Sequence, residues 1–233
     1  MRQIVLDTET TGLSPEAGDR IIEIGCVELI NRKLTGNNFH CYLNPDRAIH
    51  EDAMKVHGIS NEFLNDKSRF ENIVDEFLTY VGGAQIIIHN APFDVGFLNA
   101  ELRRLEKKPF KDYVLGVLDT LAMAKELYPG KRNSLDALCE RLGVSNAART
   151  LHGGLLDAEL LADVYVNLTR GQNALLIDAE PNSEIHQTSL SIDYSKFVLP
   201  VIQPNVEELL AHEEVLSQID KTSEGKTLWR SIN

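Results

Sequence analysis

Three strand-forming segments follow one another within the first forty-odd residues with no helical stretch between them, and from about residue 70 helical and strand-like segments alternate. Residues 2–8 are a short apolar run closed by polar residues, the pattern of a buried strand. Residues 20–30 partly alternate, and residues 39–43 follow after a polar turn through 31–38. Strands this close in sequence pair as an antiparallel meander, because a parallel pair needs a long crossover. A helix over 70–81 then leads to a β-branched strand over 85–89. The helix expected over 93–107 gathers Phe97, Leu98, Leu102 and Leu105 on one face, and a strand is expected over 114–118. Helices over 121–127, 135–142 and 155–168 complete the series, the last with Leu156, Leu160, Val164 and Leu168 at four-residue steps. This order predicts an α/β domain with a mixed five-stranded sheet flanked by helices.

Around Gly171 the character changes. Residues 173–204 are rich in Asn, Ser, Gln and Pro with little periodicity and read as a linker. Asn205 and Glu208 have capping-box spacing and open a helix expected to reach about residue 219. The chain therefore divides into a domain at 1–172, a linker at 173–204 and a tail at 205–233. The net charge is −12, and from residue 173 onward ten acids stand against four bases. Such a charge argues against holding nucleic acid on a broad basic face. It leaves room for contact confined to a strand end, with metal ions bridging the phosphate and a tether supplying effective concentration. Cys26, Cys41 and Cys139 are far apart, without metal-ligand spacing, and read as thiols of a reducing compartment. The acid at position 7 interrupts any signal-peptide core, and no apolar run has the length of a membrane span, so a cytoplasmic location is expected.

Three short patterns carry the chemistry. Asp7 and Glu9 flank Thr8, and side chains two apart on a strand share a face, so both carboxylates project together after the buried run Ile4-Val5-Leu6. Taken alone, such a pair is more often a solvated turn. Asn90-Ala91-Pro92-Phe93-Asp94 joins the fourth strand to a helix, where simple capping of helix amides competes with a functional role for Asp94. Asp94 approaches the first strand if those two strands are neighbours. His152-Gly153-Gly154-Leu155-Leu156-Asp157 is the third. Residues five apart on a helix differ by about 140°, so the glycines let His152 sit on a loop while Asp157 is fixed in the first helical turns. An acid among Leu155, Leu156, Leu160 and Leu161 needs a partner, and a metal ion is one.

The succession D-x-E, N-x-x-x-D, H-x-x-x-x-D resembles the DEDDh branch of the DnaQ-type exonucleases, whose fold is ribonuclease-H-like. Asp7–Gly12, Ile22–Gly25, Val56–Ile59 and Lys131–Leu138 resemble, more narrowly, the epsilon (proofreading) subunits of bacterial DNA polymerase III. The resemblance covers 1–172 closely and the tail more loosely. It implies a 3′→5′ exonuclease that removes mispaired 3′-terminal nucleotides by two-metal-ion hydrolysis. Asp7, Glu9 and Asp157 would hold one Mg²⁺ or Mn²⁺, Asp7 and Asp94 a second, and His152 would be the general base. Asp7, Glu9, Asp52 and His57 would contact the terminal nucleotide, with Thr8 and Thr10 assisting. His57 can equally be a packing histidine. The resemblance further implies that the tail docks on the polymerase alpha subunit and that a theta subunit can bind the domain. Trp229 would then be an interface anchor, with a frayed, unbound tail as the alternative. Gln172–Leu176 resembles a sliding-clamp peptide, with ordinary linker as the alternative. An RNA-processing relative, or a catalytically silent scaffolding module, would share part of these features.

Overall fold

The computed structural model describes residues 1–147, 149, 151–170, 204–223 and 229. The chain divides into two compact units, Met1–Pro181 and Asn182–Asn233. In the first, strands β1 (Arg2–Thr10), β2 (Ile21–Ile30), β3 (Lys33–Leu34), β4 (Phe39–Tyr42), β5 (Gln85–Ile88) and β6 (Gly116–Asp119) form one mixed sheet. Its order is β3-β2-β1-β5-β6, with β4 also on β2. β2 runs antiparallel to β1 and to β4, whereas β5 runs parallel to both β1 and β6. The meander and the later parallel strands are those expected from the sequence. The sixth strand is an addition: the two residues of β3 pair with Leu29 and Ile30, inside the turn that polarity alone marks out.

β1 is apolar at successive positions because helices cover both faces of the sheet. Ile4 and Leu6 join the core beneath α3 (Phe70–Val81) and α4 (Ala91–Arg104), with Phe77, Phe97 and Phe110. Val5 points the other way, packing with Val27, Leu29 and Ile87 beneath α6 (Leu135–Leu142) and α7 (Gly154–Leu168). The alternation carries on past the apolar run. Asp7 and Glu9 therefore share the face of Val5, toward α7, while Thr8 shares the face of Leu6, toward α4.

Two short helices, α1 (Glu51–His57) and α2 (Asn61–Leu64), fill the span between β4 and α3. They are too brief for a periodic apolar stripe to announce them. α5 (Thr120–Leu127) follows β6 directly, capped by Asp119, whose carboxylate accepts from Leu121 and Ala122. Several observed boundaries differ from expectation. β1 continues to Thr10, so Asp7 and Glu9 lie within the strand rather than at its end. α4 begins at Ala91 and ends at Arg104, two to three residues ahead of the periodic pattern, because Pro92 suits the first helical turn. β6 begins at Gly116, beyond the apolar Val114 and Leu115.

In the second unit α8 spans Val206–Thr222, and Asn205 and Glu208 make the reciprocal capping box that their spacing predicts. Most of the expected linker, 173–203, and the clamp-like peptide Gln172–Leu176 lie outside the described residues.

Candidate active site

A cleft of about 760 Å³ opens where β1, the start of α4 and the start of α7 meet. Asp7, Glu9, Asp94, His152 and Asp157 all line it. Four acids from three distant stretches of sequence thus converge at one place.

Each acid is held by a different device. Asp7 and Glu9 are fixed by the register of β1 on β2, opposite Gly25 and Glu23 respectively. Asp94 lies in the first turn of α4, buried at 3% exposure. The chain enters that helix through Asn90, whose φ of 67° makes a left-handed corner. β5 pairs with β1 only over Gln3–Val5, which leaves the Thr8 amide without a strand partner on that side. Asp94 meets this need: its Oδ1 accepts from the Thr8 amide at 3.0 Å and from the Thr8 hydroxyl at 2.7 Å. The capping alternative for Asn90 falls away, since its side chain makes no cap hydrogen bond.

Asp157 lies in the first turn of α7, equally buried, and the N-terminus of that helix rests on β2. A side chain at Gly25 would overlap the backbone of Gly154 and Leu155, so α7 approaches the sheet backbone to backbone. His152 precedes the helix on a loop, and its amide donates to the Val56 carbonyl at 3.1 Å. The imidazole is half exposed, with Nδ1 3.2 Å from Asp157 Oδ2.

The electrostatics follow from crowding. Burial first, then the charges of Asp94, Glu9, Asp157 and Glu23, push the Asp7 carboxyl well above the usual carboxylate range. Burial, followed by Asp157, Glu23 and Asp94, pushes Glu9 up to about 8, with Arg149 pulling the other way. Asp94 is raised to about 7 by burial, against the hydrogen bonds from Thr8. Like charges held this close need protons or cations. Ligand atoms of Glu9, His152 and Asp157 lie within 4.8 Å of one another, close enough to share one ion. A donor set dominated by carboxylate oxygen fits a hard divalent cation such as Mg²⁺ or Mn²⁺.

Two expected contacts lie apart from this cluster. Asp52 sits in the first turn of α1 with its carboxylate exposed and paired to Lys55 at 2.9 Å. His57 is buried at the end of the same helix; its Nδ1 accepts from the Ile59 amide at 3.0 Å. Among the described residues its Nε2 makes no well-formed hydrogen bond. Burial lowers its pKa, opposed by the charge of Glu23. Neither residue lines the cleft. The Thr10 hydroxyl is committed to the Gly12 carbonyl at 2.6 Å.

Two further residues belong to the site and were not singled out from sequence. Glu23, at 2% exposure, is the cross-strand neighbour of Glu9 and pairs with His40 Nε2 at 2.7 Å. Arg149 reaches Asp157 with two nitrogens at 2.6 and 2.7 Å, and Asp136 with a third at 2.7 Å. A basic residue three before His152 is the only trace of this in the sequence.

Comparison with known proteins agrees with this geometry. The RNase_T family model, described as exonuclease, matches residues 4–165. DNA polymerase III subunit epsilon of Pasteurella multocida is 51% identical, over 98% of this chain and 93% of its own. That of Escherichia coli K12 is 47% identical over 99% and 98%. Among solved structures, exonuclease X in complex with 5′ overhanging duplex DNA aligns with a TM-score of 0.58 and 26% identity, covering 73% of this chain and 93% of that one. The nuclease domain of 3′hExo, a DEDDh family member bound to rAMP, aligns at 0.63 with 19% identity, over 73% and 92%. At that identity it speaks for the ribonuclease-H-like fold alone.

Proposed function

This chain belongs to the RNase_T exonucleases and, within them, to the DNA polymerase III epsilon subunits, and we propose that it removes mispaired 3′-terminal nucleotides from DNA through the cleft lined by Asp7, Glu9, Asp94, His152 and Asp157. It is a 3′→5′ exonuclease, a hydrolase of the replication machinery. The observation that carries the site assignment is the convergence of four acids with raised or crowded carboxylates on one cleft.

Asp7, Glu9 and Asp157 would hold one divalent ion, and Asp7 with Asp94 a second. Such ions, when bound, supply a nucleophilic water near neutral pH and stabilise the charge of the departing oxygen. The protein's own contribution is positioning. Thr8 clamps Asp94 to β1, so the two faces of one strand present their acids in fixed relation. His152 is the general base and takes the water's proton on a ring nitrogen, the role imidazole most often fills. His57, buried at the end of α1, and Asp52, whose exposed carboxylate would exchange its Lys55 partner for a sugar hydroxyl, would be the further contacts to the terminal nucleotide.

The setting is the polymerase III assembly. The acidic surface makes independent grip on DNA weak, and attachment to a polymerase supplies the effective concentration it lacks. The tail from residue 205 would dock on the alpha subunit, with the exposed Trp229 as an anchor. Theta and the sliding clamp, the latter through Gln172–Leu176, are further partners on this reading, and the cytoplasm is the place of work. Among the described residues no helix is long and apolar enough to cross a membrane.

The test compares release of mononucleotides from mismatched DNA 3′ ends and from short RNA, with Mg²⁺ and with chelator. Mg²⁺-dependent release from DNA is expected, lost in Asp7→Ala while the fold persists. Near-normal hydrolysis by Asp7→Ala would sink the metal assignment, and faster cleavage of RNA would move the protein to an RNA-processing role.

A further inference from the structure

Among the described residues Arg149 is a cation bonded directly to an acid of the cleft, and hydrolysis as described gives it no task. The geometry points to one: we propose that the Arg149 guanidinium occupies the metal-binding end of the site and caps His152, so that a divalent ion must displace it before the site can work. This rests on the reading of Glu9 and Asp157 as metal ligands.

The contacts are those of a built arrangement. Arg149 has only 7% of its side chain exposed. Its Nε and Nη2 donate to the two oxygens of Asp157 at 2.6 and 2.7 Å, the parallel fork that carboxylates accept best. Both oxygens that would face an ion are thus already facing a cation. The guanidinium also lies close enough to lower the pKa of Glu9, so its charge is felt across the same cluster.

The second consequence falls on His152. Nη2 of Arg149 lies 2.7 Å from Nδ1 of His152. Guanidinium nitrogens only donate, so Nδ1 is the acceptor, and the neutral ring then carries its proton on Nε2. A neutral imidazole has one lone pair available in its plane, and here Arg149 takes it. Neither ring nitrogen can receive a proton from water. The same residue therefore masks a metal ligand and silences the base. Nη1 meanwhile holds Asp136, whose side chain is 57% exposed at the rim of the cleft. That carboxylate gives the guanidinium a partner to keep once it leaves Asp157.

The experiment measures Mn²⁺ binding to the full chain by calorimetry for the parent, Arg149→Gln, Arg149→Lys and Lys125→Gln. Circular dichroism verifies folding of each. Lys125 lines the same cleft and controls for loss of one positive charge. Arg149→Gln should bind Mn²⁺ roughly tenfold tighter, a change of about 1.4 kcal/mol. Arg149→Lys should also bind more tightly, because an ammonium keeps the charge but cannot form the fork. Lys125→Gln should change affinity far less. Equal or weaker binding by Arg149→Gln would overturn the proposal, since Arg149 would then be holding ligands in place for the ion. Equal tightening by Lys125→Gln would overturn it too, reducing the effect to net charge.

A readout independent of affinity is ¹⁵N NMR of the His152 ring. Without metal, Nε2 should carry the proton in the parent, and Mg²⁺ should release the hydrogen bond at Nδ1. A proton found on Nδ1 in the metal-free protein would contradict the capping. If the parent takes up no Mn²⁺ at all, the metal reading fails and this proposal falls with it; a parent that binds normally while the Arg149 variants do not tighten refutes the proposal alone.

Discussion

Replacing Glu9 by Gln should stabilise the metal-free protein while disabling it. Glu9 is raised from 4.5 to about 8 in the folded chain, by burial first and by neighbouring acids next. A carboxyl whose folded pKa lies above its unfolded value binds more protons folded than unfolded between those two values, so stability falls as pH rises through that window. Each pH unit costs about 1.4 kcal/mol, which sets an upper bound of roughly 4 kcal/mol on the penalty at about pH 7.5. Glu9 is partly exposed and solvent screens its neighbours' charges, so about 2 kcal/mol is the reasonable share. In a domain of this size that corresponds to a rise in Tm of roughly 4–8 °C. Thermal unfolding with chelator present, followed at about pH 5 and about pH 7.5, measures it. The gain should be large at the higher pH and nearly vanish at the lower, where Glu9 is protonated in the folded chain already. Added Mg²⁺ should stabilise the parent more than the variant, and nuclease activity of the variant should drop by two orders of magnitude or more. A variant less stable than the parent at pH 7.5, or equally stabilised at both pH values, would refute the electrostatic account of the cleft.

His152→Ala should lower the hydrolysis rate by about 10²–10⁴-fold, the range of general-base catalysis, with Mn²⁺ binding retained; collapse of metal binding would make the histidine a ligand instead. Gly25→Ala should cost at least about 3 kcal/mol, at or beyond the upper end of ordinary overpacking, because the added methyl meets backbone of Gly154 and Leu155 rather than a movable side chain. Urea unfolding measures this, and a loss under about 1 kcal/mol would show that α7 does not rest on β2 as described. Thr8→Val should weaken the second metal site more than the first, detectable as a change in Mn²⁺ stoichiometry at fixed concentration, since the Thr8 hydroxyl orients Asp94.

The sequence discloses most where a pattern repeats. The uninterrupted apolar character of Ile4-Val5-Leu6 implies a strand buried on both sides, and the two-residue period then dictates that Asp7 and Glu9 point one way and Thr8 the other. The glycines at 153 and 154 separate the loop-borne His152 from Asp157 on α7, and the structure keeps that division. What stays hidden depends on pairing across the chain. The Thr8–Asp94 bond exists because β5 stops pairing with β1 after Val5, and no local pattern encodes where a parallel partner ends. Glu23 looks like one more alternating residue of β2 until register sets it beside Glu9. Arg149 sits in a stretch without periodicity, so nothing nearby marks it as the partner of a buried acid eight residues on. α1 and α2 are short enough that their caps, including the left-handed Gly58, outweigh any stripe.

The contact between Gly25 and Gly154 has a consequence for how such a domain can vary. With no side chain interposed, the spacing between the sheet and the first turn of α7 equals the thickness of two polypeptide backbones, a length that mutation elsewhere cannot tune. Substitutions under the rest of that helix, at Leu161, Val164 or Leu168, can tilt it as a lever about this fulcrum. The far end swings while the acid at the pivot stays in place. Core volume is thereby free to drift over evolutionary time without changing the distance across which an ion would be held.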